Sequence, residues 1–293
     1  MQQLLEARNV TKSFSVDAHT RRKGDGPLVN RALDGVSVEL RDREIVGLVG
    51  ESGSGKTTLA KMFNRLVTPT SGETFYRGRS ILNLGKGPLM DHRRRVQMIF
   101  QNADASLHPF MSVEEILDEA VRLGGHDFTA SGLLEDVGLS PVLRKLKPSS
   151  LSGGQKRRVG IARILAMRPE VILADEPLAG LDTIVGAKVL RLVHDIVRER
   201  GMSMLYITHD LEVAAEICDR VYVMLLGNVV DMGPASLLRN GDIGHPYVEE
   251  LVDCTMGMKG NRVDVARGHG LDNAVVALSG SEVCPWLPRC ALY

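Results

Sequence analysis

Two glycine-rich turns carry the residues most able to do chemistry. Gly50-Glu51-Ser52-Gly53-Ser54-Gly55-Lys56-Thr57 fits G-x-x-x-x-G-K-[ST] without a gap, and Thr58 follows it. Glycines let backbone N–H groups converge on phosphate oxygens, and the helix that follows adds its positive end. The spacing assigns Lys56 to the β- and γ-phosphates and Thr57 to Mg2+. It is not G-x-G-x-x-G, so no dinucleotide is implied. The second turn is Leu151-Ser152-Gly153-Gly154-Gln155, which also opens a helical stretch. Ser152, Gly153 and Gly154 offer a hydroxyl and backbone donors for an anion. One nucleotide needs one cradle, so the pair of turns is the question the sequence poses.

A third element supplies acid. Val171-Ile172-Leu173-Ala174 is an apolar run that ends on Asp175 and Glu176. Paired carboxylates after a buried strand are costly unless they face a cleft or a cation. Asp175 suits Mg2+, directly or through water, and Glu176 suits positioning and deprotonating an attacking water.

The elements that must hold these groups read as strands alternating with helices. Residues 44–50 form a continuous apolar run entering glycine, the pattern of a fully buried parallel strand. Helical spacing follows over 58–67. Residues 3–12 predict a short first strand, 36–40 a half-buried one, and 93–101 a strand behind a charged face. Residues 112–125 read as a helix capped by Ser112, with a further helical piece near 129–137. Beyond the second glycine turn the pattern predicts helix 155–167, strand 171–175, helix 183–200, strand 202–208, helix 210–218 and strands near 221–231. Such alternation implies a mainly parallel sheet covered on both faces. Residues 21–27 are basic and punctuated by glycine and proline, a surface loop. Residues 241–293 are glycine-rich and weakly periodic, and read as a poorly specified appendage. Cys218 falls in a helical pattern and reads as packing.

Bulk properties exclude several classes. The 293 residues carry 36 basic and 36 acidic side chains and only 4% aromatics, so neither a basic surface nor a base-stacking platform for nucleic acid is offered. The longest apolar run, near 221–226, falls far short of the ~20 residues of a membrane helix. The opening MQQLLEARNV lacks a signal-peptide pattern. Four cysteines suggest no disulfide scaffold, and a reducing cytosol is the expected home.

With these residues in view, the chain resembles the ATP-binding-cassette (ABC) ATPases: the loop at 50–57, LSGGQ at 151–155 and ILADEP at 172–177 match in order and spacing. The resemblance implies a P-loop NTPase of α/β class, a mainly parallel core with an antiparallel β subdomain and a helical insertion. It divides the chain into a core at 1–101 and 151–240, a helical subdomain at 102–150 and an extension at 241–293. It implies that Gln101 resembles the glutamine that senses Mg2+ and couples to a membrane partner. His209 resembles the switch histidine at the γ-phosphate, Asp182 lies in the matching loop after the acids, and Phe14 sits where an aromatic stacks on adenine. Ala179 stands where the family usually has serine.

The resemblance also implies an answer to the two turns. Two cassettes pair head to tail, so that Ser152, Gly153, Gly154 and Gln155 of one close over ATP held by the phosphate loop of the other. The implied role is an ATPase that powers import through permease subunits, peripheral on the cytoplasmic membrane face, with an extracytoplasmic solute-binding protein acting indirectly. The sequence at 101–117 and HPYVEELV at 245–252 resemble the oligopeptide, dipeptide and nickel importer branch. In that branch a cysteine cluster often ends the chain. Cys284 and Cys290 keep its C-x5-C spacing, but a later cysteine is missing, which favours free thiols over an iron–sulfur or zinc site. The competing reading is a soluble ABC-type ATPase acting on nucleic acid or the ribosome. No coiled-coil insertion fits between the two turns, and there is one phosphate loop. A P-loop kinase would leave LSGGQ and His209 unexplained.

Overall fold

The structure, a computed structural model, describes residues 3–15, 29–101, 107–240 and 245–256. Its centre is a six-stranded sheet in the order β10-β9-β3-β8-β7-β6. β3 (Ile45–Val49), β6 (Val96–Ile99), β7 (Val171–Asp175), β8 (Ser203–Thr208) and β9 (Arg220–Leu225) run parallel, and β10 (Asn228–Pro234) closes one edge antiparallel to β9. Every residue of β3, β7 and β8 is buried, as expected for central parallel strands covered on both faces. The α/β core expected from the alternation is present.

A second, antiparallel sheet has the order β2-β1-β4-β5. β1 (Gln3–Ser15) and β2 (Val29–Arg41) are its long strands, and β4 (Ser71–Tyr76) and β5 (Arg79–Ser80) complete it. Its inner face shares one apolar cluster with α1 (Lys56–Phe63) and the central sheet, joining Leu5, Leu40, Phe63, Leu173 and Tyr222. The other face of the central sheet is covered by α5 (Gly153–Leu165) and α6 (Thr183–Glu199). These pack against α3 (Val113–Gly124), α4 (Ala130–Asp136) and two 3-10 turns at Pro141–Lys145 and Pro148–Ser150.

Helix ends follow local chemistry. Ser112 Oγ accepts from Glu115 N while the Glu115 carboxylate accepts from Ser112 N, a reciprocal capping box, and Gly125 ends α3 at φ 71°. Ser152 and Gln155 repeat the box at the start of α5.

Three expectations are corrected. Residues 93–95 are not strand. They are the last turn of α2 (Lys86–Arg95), where three arginines place positive charge at the negative helix end, and β6 starts only at Val96. The first two strands are much longer than 3–12 and 36–40: they pair antiparallel with each other along most of their length, and β1 pairs with β4 on its other side. The stretch after 241 is not poorly specified throughout. α9 (Pro246–Met256) packs Tyr247, Val248 and Val252 into a third apolar cluster with α7 (Leu211–Ile217) and α8 (Ser236–Asn240). The basic loop at 21–27 and the cysteines Cys284 and Cys290 lie outside the described residues. Cys218 is packed against Gly47, and burial pushes its thiol pKa well up.

Candidate functional site

Parallel strands place their C-terminal ends on one edge of the sheet, and the expected reactive groups gather there. The glycine loop follows β3, Gln101 lies just past β6, Asp175 ends β7 with Glu176 next to it, and His209 follows β8. No two of these segments are adjacent in sequence. The topology alone brings them together.

The loop holds its shape through backbone conformations that need glycine. Gly50 has φ 143°, and a Cβ there would lie 2.1 Å from Met224 O. Gly55 has φ 102°, and a Cβ would meet Ala32 O at 2.4 Å. The Lys56 ammonium is buried inside the turn and donates to Gly50 O (2.7 Å), Glu51 O (2.6 Å) and Ser54 Oγ (3.2 Å). Burial pushes its pKa down, and Glu176, Asp175 and Glu51 pull the other way. A buried ammonium of this kind is stabilised by any anion brought beside it.

Thr57 Oγ1 donates to Asp175 Oδ1 at 2.9 Å. Asp175 is buried, and desolvation raises its pKa, with the Thr57 hydrogen bond opposing and Glu176 adding to the rise. Glu176 is the focal carboxylate. Its Oε2 accepts from Gln101 Nε2 at 2.8 Å, and its Oε1 lies 3.2 Å from His209 Nδ1. Its backbone sits at φ 43°, a left-handed conformation costly for a side-chain-bearing residue, and its N–H donates to Ile207 O at 3.0 Å. Such strain is held by the surrounding sheet and aims the carboxylate off the strand end.

A cavity of about 330 Å3 opens over this group. Phe14, Asn30, Ser52, Gly53, Thr58 and Glu176 are among its walls. Phe14 is half-exposed at the rim with the Lys12 ammonium 5.0 Å over its ring. Its volume is within the range of small-ligand sites. A larger hollow of about 730 Å3, walled by Phe128, Asp136, Arg168, Arg200 and Met202, lies at the opposite edge of the sheet and contains none of these groups.

The second glycine turn lies outside that cavity. Ser152 and Gly153 are exposed at the start of α5, and Gln155 turns its side-chain oxygen back to Ser152 N at 2.9 Å. Asp182 is exposed, and its carboxylate caps α6 by accepting from Val185 N at 2.9 Å. The structure therefore separates the expected residues into two groups. One surrounds the phosphate loop, and the other is presented to the outside.

Two residues were missed by sequence reasoning. The Tyr247 hydroxyl, buried on α9, lies 3.3 Å from the loop and accepts from Glu51 N. The signal was present in HPYVEELV, but no role followed from it. Arg157 is buried next to the second turn, and it reads in sequence as one of a basic run.

Fold and site define a P-loop nucleotide-binding cassette. The family model described as ABC transporter matches residues 33–179. A Sinorhizobium fredii protein, named a probable peptide ABC transporter ATP-binding protein, is 37% identical over 99% of this chain and 82% of its own length. The oligopeptide transport ATP-binding protein AppF of Bacillus subtilis is 36% identical over 85% of this chain and 77% of its own. A dimeric ATP-binding cassette solved after hydrolysis with ADP and Pi superposes with a TM-score of 0.67 at 28% identity, over 79% of this chain and 99% of that one. This chain belongs to the ABC transporter family, and it is one of the family's ATP-binding, ATP-hydrolysing cassettes. Among the described residues no helix is long and apolar enough to cross a membrane.

Proposed function

We propose that this chain is the ATP-hydrolysing subunit of a transporter that imports peptides or a related small solute. In this reading it works as a head-to-tail pair of cassettes on the cytoplasmic face of permease subunits. The observation that carries it is the convergence of Lys56, Thr57, Asp175, Glu176, Gln101 and His209 at one edge of the sheet, around a glycine loop, with a second donor turn facing away. The peptide assignment is supported by the names of the relatives.

Each residue then has a part. Backbone N–H groups of Gly50–Thr57 and the Lys56 ammonium bind the phosphates, with Phe14 at the adenine end and Thr58 in the first turn of α1. Thr57 and Asp175 fit Mg2+, since their oxygens are hard donors already drawn together at 2.9 Å, and Gln101 adds an amide oxygen. Bound there, the ion would neutralise charge on the phosphates. Glu176 Oε1 or Oε2 accepts the proton of the attacking water, and Gln101 and His209 hold that carboxylate in place. His209 also reaches toward the γ-phosphate. Ser152, Gly153 and Gly154 of the paired molecule complete the donors around it, with Gln155 and Asp182 bracing that surface. The insertion at 102–150 is proposed as the part that meets the permease.

The test is Glu176→Gln, read for turnover in the chain assembled with its permease and for ATP binding and pairing in the isolated chain. ATP should still bind, turnover should fall by roughly a hundredfold or more, the scale of a lost general base, and a nucleotide-locked pair should accumulate on a sizing column. Normal turnover in that variant would end the assignment.

A further inference from the structure

One buried cation belongs to neither group. Arg157 lies on α5 beyond the Ser152 cap and is only 4% exposed. Its guanidinium donates to backbone carbonyls, Nη1 to Phe100 O at 3.0 Å, and Nη2 to Gln101 O at 3.1 Å and to Ala179 O at 3.0 Å. Those carbonyls lie on two separate loops. Gln101, next to Phe100, carries the side-chain amide that donates to Glu176. Ala179 opens the turn that leads to Asp182 at the cap of α6.

The same turn also touches the start of α5 directly. A Cβ on Gly154 would come within 2.6 Å of Val185 Cγ1, and one on Gly153 within 3.7 Å of Leu181 Cδ2. The second glycine turn and the Asp182 turn therefore form one packed unit. Arg157 fastens this unit to Gln101. A planar guanidinium suits that task, because its donors are fixed in a fork and can hold several acceptors at once.

We propose that Arg157 is a positioning residue that couples the two half-sites of the chain. If Ser152 and Asp182 are displaced by a partner's nucleotide, α5 cannot shift without dragging Gln101 or breaking hydrogen bonds to a buried charge. The amide on Glu176 thereby registers whether the outward-facing half is engaged. The inference rests on the functional reading above.

The test compares Arg157→Gln and Arg157→Lys with the unaltered chain, assembled with its permease. Two quantities are read: affinity of the isolated chain for a fluorescent ATP analogue, and turnover against ATP concentration. The unaltered chain should show a Hill coefficient above one. Arg157→Gln should keep affinity within roughly twofold, lose roughly tenfold or more in kcat and bring the Hill coefficient to one. Arg157→Lys, which keeps charge but not the fork, should recover part of kcat. The proposal is overturned by unchanged kcat and cooperativity in Arg157→Gln, by a Hill coefficient of one in the unaltered chain, or by affinity falling in step with kcat. If Arg157→Gln does not fold, Arg157→Lys decides, and full turnover with full cooperativity there overturns it. Lys56→Ala run alongside separates the two levels. Turnover surviving that change would remove the ATP-site reading itself, whatever Arg157 does.

Discussion

The two glycine-rich turns use glycine for different physical reasons. At 50–55 the glycines are conformational: Gly50, Gly53 and Gly55 all have positive φ, and the backbone is folded around an inward-turned lysine. At 154 the reason is steric. Gly153 and Gly154 both belong to the first turn of α5 with ordinary helical backbone; a Cβ at 154 would lie 2.6 Å from Val185 Cγ1, whereas one at 153 would meet Leu181 Cδ2 at an ordinary 3.7 Å. The first turn is closed around its own charge. The second is a capped helix end whose Ser152 and Gly153 face outward. A site completed within one chain would need only the first kind, so the contrast is what supports a site shared between two chains.

That contrast can be broken at several places. Lys56→Ala should have the largest effect, abolishing both nucleotide binding and turnover, as measured by equilibrium binding and phosphate release. Retained binding would show that the first turn is not the cradle. Ser152→Arg should abolish turnover equally but leave the isolated chain's nucleotide affinity within about twofold. A collapse of that affinity would place the second turn in its own chain's site.

Stability should separate the turns as well. Gly50→Ala forces a Cβ to 2.1 Å from a carbonyl and should cost at least about 1–3 kcal/mol from backbone strain, seen as a lowered Tm. Gly153→Ala, with its nearest neighbour at 3.7 Å, should stay within about 0.5 kcal/mol while turnover falls. Equal losses of stability would erase the distinction.

The smallest effect concerns His92, away from both turns and serving as a baseline. It is buried with Nε2 on Phe63 O at 2.7 Å, and desolvation holds its pKa below the usual histidine value. The unfolded chain therefore binds more protons in this range, and stability is lost as pH falls below about 6.5. Denaturant midpoints between about pH 7.5 and 5.5 should fall less in His92→Asn than in the unaltered chain. An identical slope would assign the acid sensitivity to other groups.

Legibility in the sequence followed burial. β7, at Val171–Asp175, is buried throughout and coincides with its sequence expectation, and α6 and β8 differ by single residues. The antiparallel strands were harder to read. Ser71–Tyr76 buries one residue fully in six, so its alternation carries little signal. Helix α2 buries only His92, which leaves its three arginines looking like a strand's charged flank. Within the site, Lys56, Thr57, Asp175 and Glu176 follow from residue type and spacing, and Gln101 and His209 follow from the family resemblance. Tyr247 and Arg157 follow from neither, because a hydroxyl on a distant helix and a guanidinium on carbonyls act through backbone atoms that sequence does not display.

The most direct measurement mixes two inactive chains, one carrying Lys56→Ala and the other Ser152→Arg, at a concentration where the unaltered chain turns over ATP. In a mixed pair one shared site inherits both defects and the other inherits neither. Turnover well above the sum of the two separate preparations is the predicted result. A mixture as inactive as its components would contradict the claim that each working site is built from two molecules.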